Sequence, residues 1–550
     1  MKQNKIPFDG LAGLKQNFSS DALSGFLVFL LALPLSLGIA QASDFPAVYG
    51  LVTAMVGGVV VSLLAGSPLT IKGPAAGLIV IVAGAVAELG QGDSTLGWKL
   101  ALGAIVVAGV IQVLLGILKV GSFSDFFPLS AVHGMLAAIG IIILSKQLHV
   151  LAGMNPTTHE GKPMFEPIEL LLELRHTFSH FFEHQQVAMI GLISLAIVFG
   201  WPMIPIKILK RIPSALVVLL VAIPLAKYLG VVNMPEIKDA SGTVIQKSFS
   251  PLLSFKEGLT DIIGIRVSFD GFSQTGTFVK YVIMFALVGS LEALLTVKAI
   301  DLLDPFRRRS NTNKDLIELG IGNIIAGVLG GLPMISEVAR SSANVTNGGK
   351  TRWSNFFHGV FVLLFLALAV HFSDLIPKSA LAAMLIGVGW KLAHPKEFGH
   401  LAKIGKDQII VFITTIIITL GTDLLLGIAS GILLKLILHI SREVSITRLF
   451  RPNFKVQDHS IDIFDAAVFS NFLPIKSKIL TFPYNSHLKL DFKHCNFIDH
   501  TVIESLHHLQ DDFKNEGGSL TILGIEEFKP ISSHPLASRR KSRKLRKGNV

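Results

Sequence analysis

Gly330-Gly331-Leu332-Pro333-Met334-Ile335-Ser336-Glu337-Val338-Ala339-Arg340-Ser341-Ser342-Ala343-Asn344-Val345 is the stretch that decides how this chain folds. It lies deep in a very hydrophobic sequence, yet it is too polar and too short to cross a bilayer, which takes about 20 apolar residues. The glycine pair and Pro333 stop a helix, and a small-residue helical pattern restarts near Ser336. Irregular backbone at membrane depth is tolerated only where it is buried in protein or lines a wet cavity. A cation at that depth is read as functional by default. Arg340, in the first turn of a broken helix, therefore points to an anion site. The helix N-terminus adds unpaired N–H donors and about half a positive charge.

A second copy of the break runs from Gly66 to Gly77 and aligns without gaps on Gly331 to Ser342. Gly66 then falls on Gly331, Pro68 on Pro333 and Ala75 on Arg340. Matching breaks in two halves of a membrane chain mark a transporter's midplane site. Two glycine-rich loops between ordinary spans are the alternative. Against them, each break is followed by an apolar segment too short to span alone.

Composition sets the class. Of 550 residues, 51% are hydrophobic and only 16% charged, with a mean hydropathy of +0.60; soluble domains carry about 25% charged residues. This is an integral membrane protein. The single Cys excludes a disulfide framework and a cysteine-rich metal centre. The net charge of +11 is concentrated in certain loops and in Arg539-Arg540-Lys541-Ser542-Arg543-Lys544-Leu545-Arg546-Lys547. That distribution suits membrane orientation and anionic lipid rather than nucleic acid. Met1 to Asp21 is polar, without a signal-peptide core, so the first span is expected to act as its own signal.

Apolar segments fall at roughly 22–42, 47–65, 74–89, 98–118, 126–146, 185–203, 212–230, 275–297, 315–332, 338–348, 354–372, 377–393, 406–421 and 423–440, those at 74–89 and 338–348 being short. Seven precede the polar stretch 231–274 and seven follow it. An odd repeat unit inverts the second copy. With the N-terminus inside, the inner loops hold Lys207, Lys210, Arg211, Lys298, Arg307, Arg308, Arg309, Lys314, Lys350, Arg352, Lys391, Lys396, Lys403 and Lys406. The short outer loops hold Asp44, Glu88, Asp93, Asp374 and Asp423. This follows the positive-inside rule and returns both termini to the cytoplasmic side of an inner (plasma) membrane.

The outer loop 147–184 carries His149, His159, His176, His180 and His184, the last three at i, i+4, i+8. That spacing can hold zinc, but an interfacial amphipathic helix bearing Phe178, Phe181 and Phe182 accounts for it without an extra ligand. From about 455 the composition turns soluble. Strands are expected at Ile461–Phe469, Leu488–Phe492 and Ser519–Leu523, with an amphipathic helix over Thr501–Lys514. Such alternation predicts a small α/β unit with a largely parallel sheet, over 455–530, and a basic tail at 531–550.

Within the span 275–297, Glu292 is an acid in apolar surroundings, at a cost of about 2.5–3.5 kcal/mol. Thr296 shares its helix face. A buried Glu can carry a proton; with Thr296 it could help bind sodium, or it could be a structural acid neutralised by Arg340. Glu337 is a second candidate for ion coupling, or a helix cap. Asp21 reads as a cap at the start of the first span, which Pro34 kinks.

These residues resemble the sulfate permease (SulP) family of inorganic anion transporters. The motifs are Asp21…Ser24-Gly25…Leu33-Pro34…Ala40, Tyr49-Gly50-Leu51, Gly66…Gly73-Pro74, Glu292, Gly320-Ile321-Gly322-Asn323-Ile324 and Arg340-Ser341-Ser342-Ala343-Asn344-Val345…Gly348-Gly349-Lys350-Thr351, spread over nearly all of 10–445. The resemblance implies two inverted seven-segment repeats forming a core and a gate over 21–445. It also implies an anion between the half-helices near Pro74 and Val338, and a cytoplasmic STAS domain centred on Leu490-Asp491-Phe492…Phe497-Ile498-Asp499-His500-Thr501. His500 stands where that domain's usual Asp-Ser-(Ser/Thr)-Gly has its first Ser. Sodium-coupled relatives place small or hydroxyl residues where this chain has Ser336-Glu337-Val338, so a proton on Glu292 is the simpler coupling.

The resulting expectation is a secondary active transporter, not an enzyme. It would carry bicarbonate or sulfate by alternating access in symport with protons or sodium, as a homodimer and without a cofactor. Ala75, Ala76, Gly77, Ala339, Arg340, Ser341 and Ser342 would bind the anion. Glu292, Thr296 and Glu337 would couple it to the driving ion. A nucleobase carrier of the same architecture and a non-transporting scaffold or sensor signalling through the STAS domain are the competing readings.

Overall fold

The computed structural model describes residues 6–64, 66–121, 127–154, 167–179, 184–206, 212–231, 237–238, 244–246, 251–253, 262, 264–368 and 375–541. Every one of the fourteen apolar segments holds a helix. In order these are Gly10–Ala42, Val48–Val56 continuing to Leu64, Ala76–Gly90, Ser94–Ile117, Leu129–Leu151, Gln185–Gly200, Ser214–Tyr228, Thr275–Leu303, Thr312–Val328, Val338–Thr346, Trp353–Leu368, Lys378–Leu392, Lys406–Gly421 and Leu424–Ser441. The chain divides into two compact units, 1–121 with 139–392 and 122–138 with 393–550.

In the first unit, small residues let helices touch. A Cβ added to Gly109 would meet Gly320 O at 2.8 Å, and one on Gly320 would meet Gly109 O at 2.5 Å. The Ser94–Ile117 and Thr312–Val328 helices thus meet backbone to backbone, as glycine seams allow in membranes. Side-chain caps close helix starts: Asp93 accepts from Thr95 N and Leu96 N, and Asn311 from Lys314 N. The first helix begins at Gly10, twelve residues before the apolar stretch. Asp21 is therefore mid-helix and fully buried, not a cap of its own helix. It accepts instead from Lys350 N (2.7 Å), Thr351 N (3.2 Å) and Thr351 Oγ1 (2.5 Å), holding the turn before the Trp353–Leu368 helix.

The decisive stretch contains a strand that periodicity alone did not reveal. β1 (Lys72–Pro74) pairs antiparallel with β4 (Met334–Ser336), in the register Lys72↔Ser336, Gly73↔Ile335 and Pro74↔Met334. A short hairpin of β2 (Ile237–Lys238) and β3 (Val244–Gln246) lies between them in sequence.

His149 uses both ring nitrogens on the Pro167–Ser179 helix, Nδ1 with Thr177 Oγ1 (2.5 Å) and Nε2 with Leu170 O (2.9 Å). His159 and His180 fall outside the described residues.

The second unit ends in a sheet domain. Its strands are β5 (Asn453–Gln457), β6 (Ser460–Ala467), β7 (His487–Asp491), β8 (Cys495–Ile498), β9 (Ser519–Leu523), β10 (Phe528–Pro530) and β11 (Arg539–Lys541), in the order β10-β11-β8-β6-β7-β9 with β5 on β6. The β8-β6-β7-β9 centre is parallel, and β5, β10 and β11 add antiparallel edges. The helices Phe469–Ile479 and His500–Asn515 bury Phe472, Ile475, Val502, Leu506 and Phe513 against it. The sheet overruns the expected limit at 530. Arg539–Lys541, read as tail, is a strand on β8 and β10 because Lys541 is anchored to Lys493 O and Glu527. His500 is buried, its Nδ1 on Leu536 O at 2.8 Å and its N–H donated to Ser538 Oγ.

Candidate anion-binding site

β1 and β4 each lead directly into a half-helix. The first opens at the cap Ala75 with a 3-10 turn over Ala76–Leu78. The second runs Val338–Thr346 from the cap Glu337. The two caps correspond, so the gapless alignment that set Ala75 on Arg340 is three residues out of step. It matched the prolines of the approach rather than the helix starts.

Each half-helix leaves N–H groups over. Ala75 N donates to Pro333 O (3.3 Å), Arg340 N to Glu337 Oε2 (2.8 Å) and Ser341 N to Glu337 O (3.0 Å). Ala76, Gly77, Val338 and Ala339 have no backbone acceptor among the described residues. They occupy the first-turn positions that a helix cannot satisfy internally. Val338 and Ala339 are exposed.

Arg340 is wholly buried. Its guanidinium lies over Gly73, where an added Cβ would be 3.3 Å from Cζ. Its Nε stands 3.9 Å from Glu337 Oε2, and Nε, Nη1 and Nη2 have no hydrogen-bond acceptor among the described residues. Glu292 lies at the other half-helix: a Cβ on Gly77 would sit 2.5 Å from its Cδ. Its Oε2 is buried without a partner among the described residues. Arg340 and Glu292 are therefore not an ion pair, and each waits at a separate helix tip. Thr296 is buried one turn along from Glu292.

The hydroxyl of Ser341 is already committed, donating to Glu337 O (2.6 Å) and accepting from Ile71 N (2.9 Å). Ser342 is partly exposed in the second turn, its carbonyl taking Thr346 Oγ1. N–H groups without a backbone acceptor, a buried cation without a hydrogen-bond acceptor among the described residues and helix N-termini are the chemistry that recognises small oxyanions.

Three functional-looking residues escaped the sequence reading. Lys72 is buried against Asp315 (2.5 Å) and Glu318 (3.0 Å). The signal was available: two acids three residues apart inside an apolar span, and a lysine within the first break.

A family model described as the Sulfate permease family matches residues 18–415. The bicarbonate transporter BicA of Picosynechococcus is 25% identical over 447 residues, covering 80% of this chain and 72% of that protein. Among solved structures, the transmembrane domain of a cyanobacterial bicarbonate transporter BicA superposes with a TM-score of 0.62 at 22% identity, over 76% of this chain and 98% of that one. The structure of SLC26A9 gives 0.64 at 17% identity, over 92% and 84%. The chain belongs to the sulfate permease family.

Proposed function

We propose that this chain is a secondary active transporter of a small inorganic oxyanion, with sulfate and bicarbonate as the leading substrates. One observation carries the reading: a fully buried guanidinium with no hydrogen-bond acceptor among the described residues, on the second of two half-helices whose first-turn N–H groups have no backbone acceptor there either. Sulfate is favoured by the family's description and bicarbonate by the name of a relative. The anion is bound by the N–H groups of Ala76, Gly77, Val338 and Ala339 with Arg340 behind them. Ala75, Ser341 and Ser342 shape the two turns.

Glu292 supplies the coupling. As a carboxylate against Gly77 it competes with the substrate for the positive tip of the first half-helix. A proton, or a sodium ion held with Thr296, removes that competition, so ion and anion bind together and move together. Glu337 caps the second half-helix and holds the turn that presents Arg340. Alternating access follows from motion of a core carrying both half-helices against a gate. The transporter works as a homodimer in the inner membrane with both termini cytoplasmic, and the C-terminal sheet domain serves dimer contacts or regulation.

Proteoliposomes containing the full chain test this with radiolabelled sulfate and bicarbonate at varied sodium and pH. Uptake of one anion, driven by a sodium or proton gradient, is expected. Uptake of neither anion defeats the proposal, and uptake of uracil alone assigns a nucleobase carrier.

A further inference from the structure

A second knot of charge lies where β1 begins. Lys72 Nζ is 2.5 Å from Asp315 Oδ1 and 3.0 Å from Glu318 Oε1, and it donates to Ser336 Oγ at 2.6 Å. Lys72, Asp315 and Glu318 are 2%, 0% and 1% exposed. Glu318 Oε2 accepts from Gly66 N. Asp315 Oδ2 is buried with no donor among the described residues. Both carboxyl groups crowd the same ammonium. Two carboxylates sharing a site repel each other; a carboxylate and a carboxylic acid do not.

Counting charge leads to the same place. Two carboxylates and one ammonium leave one negative charge, and an uncompensated buried charge costs several kcal/mol. Among the described residues, Lys72 is the cation that meets both carboxyl groups, while half-buried Lys298 on the Thr275–Leu303 helix and Arg307 and Arg309 in the loop after it have interactions of their own. The Thr275–Leu303 helix faces the cluster with Asp301, whose oxygens take Ser310 N (2.9 Å) and Ser310 Oγ (2.6 Å). Asp304 is paired with Arg308 at 2.8 Å. β4 offers Ser336, and the Trp353–Leu368 helix offers the Asn355 amide, on Lys72 N at 3.4 Å. The packed Ser94–Ile117 helix has Lys99 as its one charge, near its opposite end, and Lys314 on the cluster's own helix is exposed.

We propose that Lys72, Asp315 and Glu318 form a proton-binding site distinct from Glu292, the two carboxyl groups that share the Lys72 ammonium holding one proton between them. Binding converts one carboxylate to a carboxylic acid, and release returns the proton to water. Lys72 stands three residues ahead of the cap Ala75, and Ser336 one residue ahead of the cap Glu337. With the proton bound, a single carboxylate balances Lys72. Once it leaves, two carboxylates draw the ammonium away from Ser336, and the pull falls on the strand pair that sets both half-helices. The site ties transport to pH without touching the anion.

Infrared difference spectroscopy of the purified full chain reads buried carboxylic acids directly. An E292Q background removes the contribution of Glu292. We expect a deuterium-sensitive carboxylic-acid band that is lost in E292Q/E318Q and in E292Q/D315N. A band unchanged in both double variants, or absent from the E292Q parent, overturns the proposal. Should the double variants fail to accumulate, K72M in the same background must strengthen the band, because both acids then hold protons; an unchanged band counts against the site. No transport is needed for this measurement, so its failure is separate from failure of the anion reading.

Discussion

Replacing Arg340 by methionine should stabilise the ligand-free protein while removing its response to anions. The guanidinium is fully buried and its three nitrogens find no acceptor among the described residues. An unsatisfied buried polar group costs about 1–3 kcal/mol, and more when charged. Exchanging a buried ion for a well-packed apolar residue of similar volume is often stabilising by about 1–4 kcal/mol. Methionine keeps the length of the side chain and leaves little cavity. Glu337 keeps its cap, because it accepts from the backbone N–H of residue 340 and not from the side chain. Among the described residues the one ion pair lost is the 3.9 Å contact to Glu337, on a carboxylate that is itself partly exposed. Against this gain, a charge-assisted hydrogen bond to a bound oxyanion contributes about 1.5–3 kcal/mol, so affinity should fall roughly 10- to 150-fold. Thermal unfolding in detergent, with and without sulfate or bicarbonate, reads both signs. Ligand at about 100 times Kd should add about 2.7 kcal/mol to the wild type and far less to R340M. A variant that melts lower without anion and keeps the full anion shift refutes the idea that Arg340 is unpaired until substrate arrives.

E292Q should fold and bind anion yet lose the proton- or sodium-driven part of uptake; imposed-gradient assays that show unchanged coupling speak against its role. Because a Cβ at residue 77 would sit 2.5 Å from Glu292 Cδ, G77A should force the acid aside at about 1–3 kcal/mol, seen as a lower Tm and slower uptake. D21A strips the acceptor from two backbone N–H groups and a hydroxyl, and should lower stability by about 1–3 kcal/mol per orphaned group without changing which anion is carried. In the sheet domain, burial pushes the Cys495 thiol up to about 12. It should resist alkylation at pH 8 until the chain is unfolded. The folded state binds that proton more tightly than the unfolded state, whose thiol has an ordinary value of 9.0, so stability should decline as pH rises from about 9 towards 12. Rapid labelling of the native protein contradicts this.

The membrane helices were legible because hydropathy at bilayer depth is a one-dimensional signal. All fourteen segments correspond to helices within a few residues, apart from the first, whose polar start at Lys15-Gln16-Asn17 hides a helix that continues below the apolar stretch. The half-helices were legible for another reason: Pro333, Gly331 and their counterparts interrupt an apolar pattern that nothing else explains. What the sequence could not display is pairing across 264 residues. Met334-Ile335-Ser336 is too short for alternation to register, and only the register Lys72↔Ser336 makes it a strand. Asp21 was misplaced for the same reason. Its partners, Lys350 and Thr351, are more than 300 residues away, so a capping role was assigned to the nearest helix start. In the C-terminal domain the Thr501–Lys514 helix and three strands were visible, but β5, β8, β10, β11 and the Phe469–Ile479 helix were not: the strands are three to five residues long, and Pro474 interrupts the helical signal.

The strand pair explains which polar residues the fold itself consumes. Two three-residue strands at membrane depth expose outer edges that lipid cannot satisfy, and side chains from distant helices close them. Asn323 Oδ1 takes Met334 N (2.6 Å), Asn355 Oδ1 takes Lys72 N, Ser341 Oγ takes Ile71 N and Asn344 Nδ2 reaches Leu69 O (2.8 Å). Glu337 N completes the edge on Ile71 O. Each of these side chains would look like a substrate ligand if judged by its depth alone, yet each is spent on backbone. A buried polar group that the fold has used is scaffold; one left unpaired where burial is expensive is retained for another reason. By that subtraction the ionisable groups of the first unit still holding unpartnered buried atoms among the described residues include Glu292, Arg340, Asp315 and His358. Glu292 and Arg340 stand at opposite half-helix tips, and Asp315 stands at the root of the strand joining them. His358 and buried hydroxyls such as Ser36, Thr70 and Ser290 also lack partners among the described residues, but only a charge left unpaired at that depth carries a cost large enough to demand a ligand or a proton, and that singles out the helix tips and the strand root.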